Sequence, residues 1–495
     1  MPAFYLIAMK KNVFLLAAFF FAAQLYGQLK HDYQWVLDHY NLMDFRLDTF
    51  VLSIAEHQVN HGSGDYSTSI CNADGELQFY SGGCHILNRE GEIMENGDDI
   101  NSDYAYDGFC GFGDYPFPQS NTIIPFPLNS QKYIYFNLDI NIIDSILPTP
   151  LKLYFHIIDM DMNGGLGAVE EIKQLAVGDT LARGYVQAAQ NTNMMDWWVT
   201  IPELNSNCYY VIPVTNDGVG IPNKQCLGGV WNNQDGGGQA VFSPNGTKYA
   251  RVEAINGWYL FDFDASVGQL SNPLQLMGTE NANYFRGVAF SPNSRYLYVS
   301  ARMDLFQFDL EADDVQGSIQ LVGQLNPDDA FPGVGTLALQ KLAPDGKIYI
   351  ASPGSHKYLS VINRPNCPGT LCDFQPWAIE LPESNYAGLP NLPHFSIPDS
   401  DNECDSLTST VSLKEQESFL VFPNPATDKL FFQTNVNAQQ YIIFDLSGSK
   451  CKQGTLGKKV SEIDVSDLLC GAYFLSVIDV YGNTVGIKKL IIKTK

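Results

Sequence analysis

The sequence predicts an all-β protein: a β-propeller of about seven blades followed by a small immunoglobulin-like β-sandwich. Three observations carry this. A strand–turn–strand template recurs at roughly fifty-residue spacing through the body of the chain. The composition, with 42 Gly, 26 Pro, 26 Tyr and 30 Phe but only 17% charged residues, suits a turn-rich β-protein with a large core. The last 77 residues set out about seven short strands of their own, enough for two packed sheets.

The chain opens with an export signal. Lys10 and Lys11 precede an apolar run from Val13 to Ala23, and the small residue Gly27 stands before Gln28. Residues 1–27 are therefore read as a signal peptide cut after Gly27, with Met1 or Met9 as the start. No cysteine lies at the cut, which argues against a lipoprotein. No later segment offers the roughly 18 unbroken apolar residues of a membrane span, so no transmembrane span is expected in the mature chain.

Residues 28–398 form the predicted propeller. The template is clearest at 240–250 (AVFSPNGTKYA), 288–300 (VAFSPNSRYLYVS) and 340–352 (QKLAPDGKIYIAS): an apolar strand, a Pro-Asn/Asp turn, a second apolar strand. Proline presets φ at the second turn position, and Asn, Gly or Ser closes the bend. Further strands end at Asp264, Asp309 and Asn363; they are apolar at nearly every position, as strands covered on both faces should be. Weaker copies lie at 72–83, 128–139 and 191–202. Six anchors and a closing segment favour seven blades over six or eight, with a strand from the Trp35–Leu52 region completing the blade that ends near Phe395.

Residues 399–418 are polar and aperiodic, a linker, and residues 419–495 form the terminal sandwich. The order VFPNPATDKLFF, IIFDLSGSK, IDVSDLLCGAYFLSV and KKLIIK closely resembles the type A C-terminal sorting domain of type IX secretion cargo in Bacteroidetes. The resemblance implies that the tail addresses the protein across the outer membrane through the type IX machinery and is then removed, the cargo being released or fixed to surface lipopolysaccharide. The body is in turn similar to propellers of secreted and gliding-associated Bacteroidetes proteins. That likeness rests on ADGELQFYSGGCHILNREGEIMENG, NTIIPFPLNSQKYIYF, IIDMDMNGGLGAV, LFDFDASVGQLSNPL, APDGKIYIAS and GLPNLPHF. It implies a fold and a secreted or outer-membrane-surface location, without a reaction.

Net charge is −25, and the tail carries +3 of it, leaving −28 on everything before residue 419. So negative a surface repels phosphate backbones and speaks against nucleic-acid partners. Ten cysteines in an exported chain predict disulfides. The nearest-neighbour candidates are Cys367 with Cys372, Cys71 with Cys84, Cys208 with Cys226 and Cys451 with Cys470, while Cys404 in the linker either pairs back onto the propeller or stays single.

Chemistry is sparse. Asp159, Asp161, Asn163 and Gly164 followed by Glu170 fit the spacing of a calcium loop, but the strand-like flank and Asn163-Gly164 read better as a hairpin. His57 and His61 are four apart with no third ligand in sight, in a Gly-rich context. The segment 234–239 lacks the lysine of a phosphate loop. Trp197-Trp198 and Trp258-Tyr259 are read as blade core. The loop from Tyr104 to Phe117, long and Gly-punctuated, is the stronger candidate for a functional surface. No catalytic, cofactor or metal residue is assigned. Two readings follow: a non-catalytic propeller binding a glycan or protein partner, favoured for want of a catalytic signature, and a secreted metal-dependent, lactonase-like hydrolase or lyase. A constellation of Asp, Asn, Glu or His from several blades at the centre would favour the second.

Overall fold

The structure, a computed structural model, describes residues 29–493 apart from 38–40, 48–49, 55–66, 111–114, 143–147, 232–236, 254–255, 277–286, 327–334, 355, 386–387, 396–403, 405–418, 435–437, 446–449, 457–459 and 480–483. The chain divides into two compact units, Met1–Asp405 and Ser406–Lys495.

The first unit holds seven antiparallel sheets among its described residues. In chain order they span 34–54, 68–88, 121–178, 187–226, 239–276, 288–324 and 340–385, and are numbered here as blades 1 to 7. Blades 5, 6 and 7 are four-stranded meanders, as is blade 3; blade 4 has a fifth strand, and blades 1 and 2 have three each. All six sequence templates fall on the hairpin joining a blade's first and second strands.

The turns show why. In blade 5 the Ser243 hydroxyl accepts from the Thr247 and Lys248 amides, at 3.2 and 2.9 Å, and Gly246 closes the bend at φ 69°. In blade 6 Ser294 takes the same left-handed conformation, φ 62°, and its hydroxyl accepts from the Asn245 amide of the preceding blade. Each Ser-Pro turn is thus held by its own side chains, and one ties two blades together.

Each blade packs on the next through its own apolar cluster. Ile70 and Phe79 of blade 2 meet Tyr133 and Ile158 of blade 3, Phe136 of blade 3 meets Trp197 of blade 4, and Tyr209 meets Phe261 between blades 4 and 5. Trp258 and Phe308 join blades 5 and 6, and Tyr298 and Ile350 join blades 6 and 7. Trp35, Met43 and Phe45 of blade 1 pack on Tyr349, Leu359 and Leu381 of blade 7, and a small cluster of Val36, Tyr80 and Leu87 joins blades 1 and 2. Seven interfaces for seven blades make a closed ring, the arrangement that removes open sheet edges.

Closure differs from the expectation. Blade 7 supplies all four of its strands, and the Trp35–Leu52 region builds a separate three-stranded blade instead of lending it one. The seam is held by side chains: Asn41 donates to the Glu383 carbonyl at 3.1 Å and accepts from the Glu383 amide at 2.9 Å, standing in for a strand partner.

Three disulfides occur among the described residues: Cys84–Cys110, Cys208–Cys226 and Cys367–Cys404. Only the second is a predicted neighbour pair, its cysteines facing each other across adjacent strands of blade 4. Cys71 is buried and outside any disulfide, directed toward the Gln34 carbonyl of blade 1, whereas Cys84 turns to the Tyr104–Phe117 loop; Cys372, Cys451 and Cys470 form no disulfide among the described residues. Sequence proximity misleads here because a β-strand sends neighbouring side chains to opposite faces. Cys404 does pair back onto the propeller.

The second unit is a two-sheet sandwich. Phe419–Phe422, Lys429–Thr434 and Val460–Asp464 form one sheet; Lys450–Thr455, Ala438–Phe444, Gly471–Asp479 and Thr484–Ile492 form the other. Leu430, Phe432 and Ile463 from the first pack on Tyr441, Ile443, Leu475, Val477 and Leu490 from the second. In the Pro-Asn-Pro turn, Asn424 donates to the Lys489 carbonyl and accepts from the Ile491 amide, pinning the turn to the last strand.

Candidate functional site

A propeller's axis is where its innermost strands expose unpaired backbone, and here glutamines answer that need. Gln119, at the entry to blade 3, donates to the Ala240 carbonyl at 2.9 Å and accepts from the Ala240 amide at 2.8 Å, so one side-chain amide serves as a strand partner for blade 5. Gln239 does likewise for blades 6 and 7: it accepts from the Val288 and Gln340 amides and donates to the Gln340 carbonyl. These side chains satisfy edge groups that would otherwise be buried unpaired.

After blade 7 the chain turns into this channel. The segment Gly388–Phe395, GLPNLPHF, cannot extend a sheet, because Pro390 and Pro393 have no N–H to donate. It lies along the axis instead. Asn391 is its hub: the side chain donates to the carbonyls of Asn121 and Val186, at 2.7 and 2.8 Å, and accepts from Gln119 and Gln187, at 3.1 and 2.6 Å. Its backbone amide donates to Ser67, and its carbonyl accepts from Thr68 and Thr122. Residues of blades 3 and 4, and of the chain entering and beginning blade 2, therefore converge on one asparagine. Leu389 and Leu392 sink into the clusters of blades 7 and 1 and of blades 2 and 3, and Phe395 packs on Trp197 and His31, ring centroids 5.5 and 5.1 Å apart. The space left in the channel is about 20 Å³, room for about one water molecule.

Titratable groups gather at the end of this plug. Lys341 of blade 7 donates to the Leu392 carbonyl, and Asp32, ahead of blade 1, accepts from the Phe395 backbone. Burial raises the Asp32 carboxyl and lowers the Lys341 ammonium, each opposed by the charge of the other. His394 is pushed down to about 3, by burial first and by Lys341 second; its Nε2 has no hydrogen-bond partner among the described residues. Burial also lowers His31, whose Nδ1 lies 2.6 Å from the Cys71 carbonyl. Asp, Lys and His from three parts of the chain are thus brought together, sealed from solvent by the plug they hold.

At one mouth of the channel a cavity of about 160 Å³ remains open between blades 4 and 5. The hairpin around Thr192 and Met194, the turn Ser243–Gly246, Ala265 and the plug residues Pro393 to Phe395 form its wall. Met194 is largely exposed there.

The residues singled out in the sequence are scattered elsewhere. Asp159 and Ala168 are strand partners in a hairpin of blade 3, and Lys132 bridges the carboxylates of Asp159 and Glu170 at 3.3 and 2.5 Å, occupying the place a cation would take. His57, His61 and residues 232–236 lie outside the described residues. Trp197, Trp258 and Tyr259 are blade core, and the Trp198 indole donates to the Ala265 carbonyl. The Tyr104–Phe117 loop is only partly a surface: Tyr115 is buried with its hydroxyl donating to the Leu138 carbonyl, Phe117 is core, and Cys110 is tied to Cys84, leaving Tyr106 to Gly108 exposed. No group of three or more potential metal ligands occurs among the described residues, nor is any helix there long and apolar enough to cross a membrane.

Sequence reasoning missed the plug. Its signal was GLPNLPHF itself, two prolines around an asparagine directly after the last blade.

Among solved structures the chain is similar to a Lactobacillus plantarum protein (14% identity, 78% of this chain and 94% of that one, TM-score 0.35). It is also similar to the periplasmic gluconolactonase of Pseudomonas aeruginosa (13%, 78% and 92%, 0.35) and to PorZ, a surface component of the type IX secretion system of Porphyromonas gingivalis (10%, 92% and 68%, 0.31). No curated protein matches the sequence. The family of secretion system C-terminal sorting domains matches residues 420–493, the sandwich described above. The chain therefore carries a type IX C-terminal sorting domain and is an exported propeller protein, secreted or held at the cell surface.

Proposed function

We propose that the exported propeller is a non-catalytic binding protein that engages a glycan or protein partner through its open face. The observation that carries this reading is the plugged axis. Among the described residues, side chains from many blades converge on the axis, which is filled by Gly388–Phe395; the Asn391 side chain spends its donors and acceptor on the surrounding strands, and about 20 Å³ of free space admits no substrate. The cavity of about 160 Å³ beside it is the size of a single protruding group, a sugar ring or one side chain, and most of its polar wall is already hydrogen-bonded within the turns. This is what a recognition pocket on a larger contact surface provides. Propeller domain, linker and sorting domain keep the limits 28–398, 399–418 and 419–495 in this reading.

The test is thermal melting of the secreted chain against polysaccharide fragments and lactones, with lactone turnover followed in parallel. A ligand at a hundred times its Kd stabilises by about 2.7 kcal/mol, readily seen. Stabilisation by a glycan that disappears in Thr192→Trp, which fills the pocket from an exposed position, is the expected result; lactone turnover by the wild-type chain would overturn the reading. A chain that neither turns over lactones nor responds to glycans leaves the protein partner as the remaining form of the proposal, and cross-linking on intact cells then decides it.

A further inference from the structure

Arg251 lies in the second strand of blade 5, at the interface with blade 4, and is 0% exposed. Its guanidinium is sandwiched by aromatic rings, 4.2 Å from the Tyr185 centroid and 4.0 Å from that of Trp231. Among the described residues none of its three nitrogens has a hydrogen-bond acceptor, and the neighbouring Tyr209 and Tyr249 hydroxyls have no partner there either. Tyr209 lies beside both the guanidinium and Trp231, and Tyr249 beside Thr200, close but without hydrogen-bond geometry. The charged group nearest in sequence is Glu253, fully buried two residues along the strand; its carboxylate accepts from Asn256 and acts on Arg251 only through space.

Ring faces satisfy the face of a guanidinium, not its edge. Five N–H donors lie in its plane, and a buried donor without an acceptor is a rare and costly state. Its neighbours Tyr185, Tyr209, Trp231 and Tyr249 offer aromatic carbon and phenol hydroxyls, which can themselves donate. The missing component is an acceptor with no donor of its own. We infer that the cage of Tyr185, Tyr209, Trp231, Tyr249 and Arg251 is a binding site for a small inorganic monoanion of the halide class, held by the edge of Arg251 and the hydroxyls of Tyr209 and Tyr249. A monatomic ion suits an enclosure whose walls are all buried, and the Glu253 carboxylate nearby disfavours a dianion such as sulfate. The ion joins blades 4 and 5, the two blades that also frame the mouth cavity, and it is independent of what that cavity binds.

The test uses the secreted chain. Crystals grown in bromide are measured at the bromine edge, and melting is followed in chloride, bromide and gluconate at matched ionic strength. The expected results are an anomalous peak in the cage within reach of Arg251, and saturable stabilisation by chloride and bromide but not gluconate. Tyr209→Phe, which keeps the ring and loses one donor, should weaken the halide about tenfold. Ordered water alone in the cage, or melting that ignores halide, overturns the inference; the wild-type measurements decide it even where Arg251→Met fails to fold.

Discussion

Acid should loosen this propeller through His394. The unfolded imidazole titrates near 6.5, whereas in the plug burial and Lys341 bring it to about 3. Between those values the unfolded chain binds the proton and the native one does not, so stability is complete above the unfolded value and is lost as pH falls through it. At pH 5.0 relative to pH 7.5 the loss from this one group is about 2 kcal/mol, and it hardly depends on the folded value as long as that stays below about 4. His156, also near 3 from burial in blade 3, and the depressed His31 contribute with the same sign. Asp32 works the other way: its carboxyl is raised by burial, so the native state binds a proton that the unfolded state releases, and its effect grows less unfavourable as pH falls. Comparing the wild-type chain with His394→Asn cancels these other groups. All six tryptophans, Trp35, Trp197, Trp198, Trp231, Trp258 and Trp377, lie before the sorting domain, so their fluorescence in urea reports the propeller alone. The wild-type chain should lose about 2 kcal/mol more than the variant between pH 7.5 and 5.0. Parallel pH profiles would show that His394 is not held neutral, and the account of the sealed plug would fail.

Other outcomes follow from the same contacts. Asn391→Ala removes four side-chain hydrogen bonds and leaves Gln119 and Gln187 with unmet donors, so urea unfolding should show a loss of about 2–4 kcal/mol; a loss below about 0.5 kcal/mol would mean that the plug does not hold the ring. Trp35→Ala opens the interface of blades 7 and 1 at a cost of about 3–5 kcal/mol, visible as an early transition in hydrogen exchange across residues 34–54. Non-reducing peptide mapping should recover Cys84 with Cys110 and Cys367 with Cys404; a Cys71–Cys84 peptide would contradict the course of the Tyr104–Phe117 loop.

Much of the architecture was legible because it is local. SPNG, SPNS and APDG carry their turn chemistry within four residues, so each hairpin announces itself wherever it stands, and the spacing of hairpins is the spacing of blades. The tail was equally plain, since its strands alternate and its Pro-Asn-Pro segment marks the turn between the first two of them. Blade 1 was hidden: Gln34 to Ile54 holds three four-residue strands with no such turn, and the core they pack on lies more than three hundred residues away in blade 7. The cysteine pairs were hidden for a related reason, since which face Cys71 or Cys84 presents depends on strand register and not on separation.

Turn residues, strand periodicity and the signal segment act over a few residues each, so an exported β-protein with a repeated blade and a terminal sorting sandwich can be read from local stretches of the chain. What occupies the axis and how the ring closes are settled by long-range packing instead. Asn391 becomes a hub, Lys341 and Asp32 become neighbours, and Arg251 becomes a caged cation solely because ring closure brings distant strands together, and nothing in the local sequence around any of them encodes that meeting.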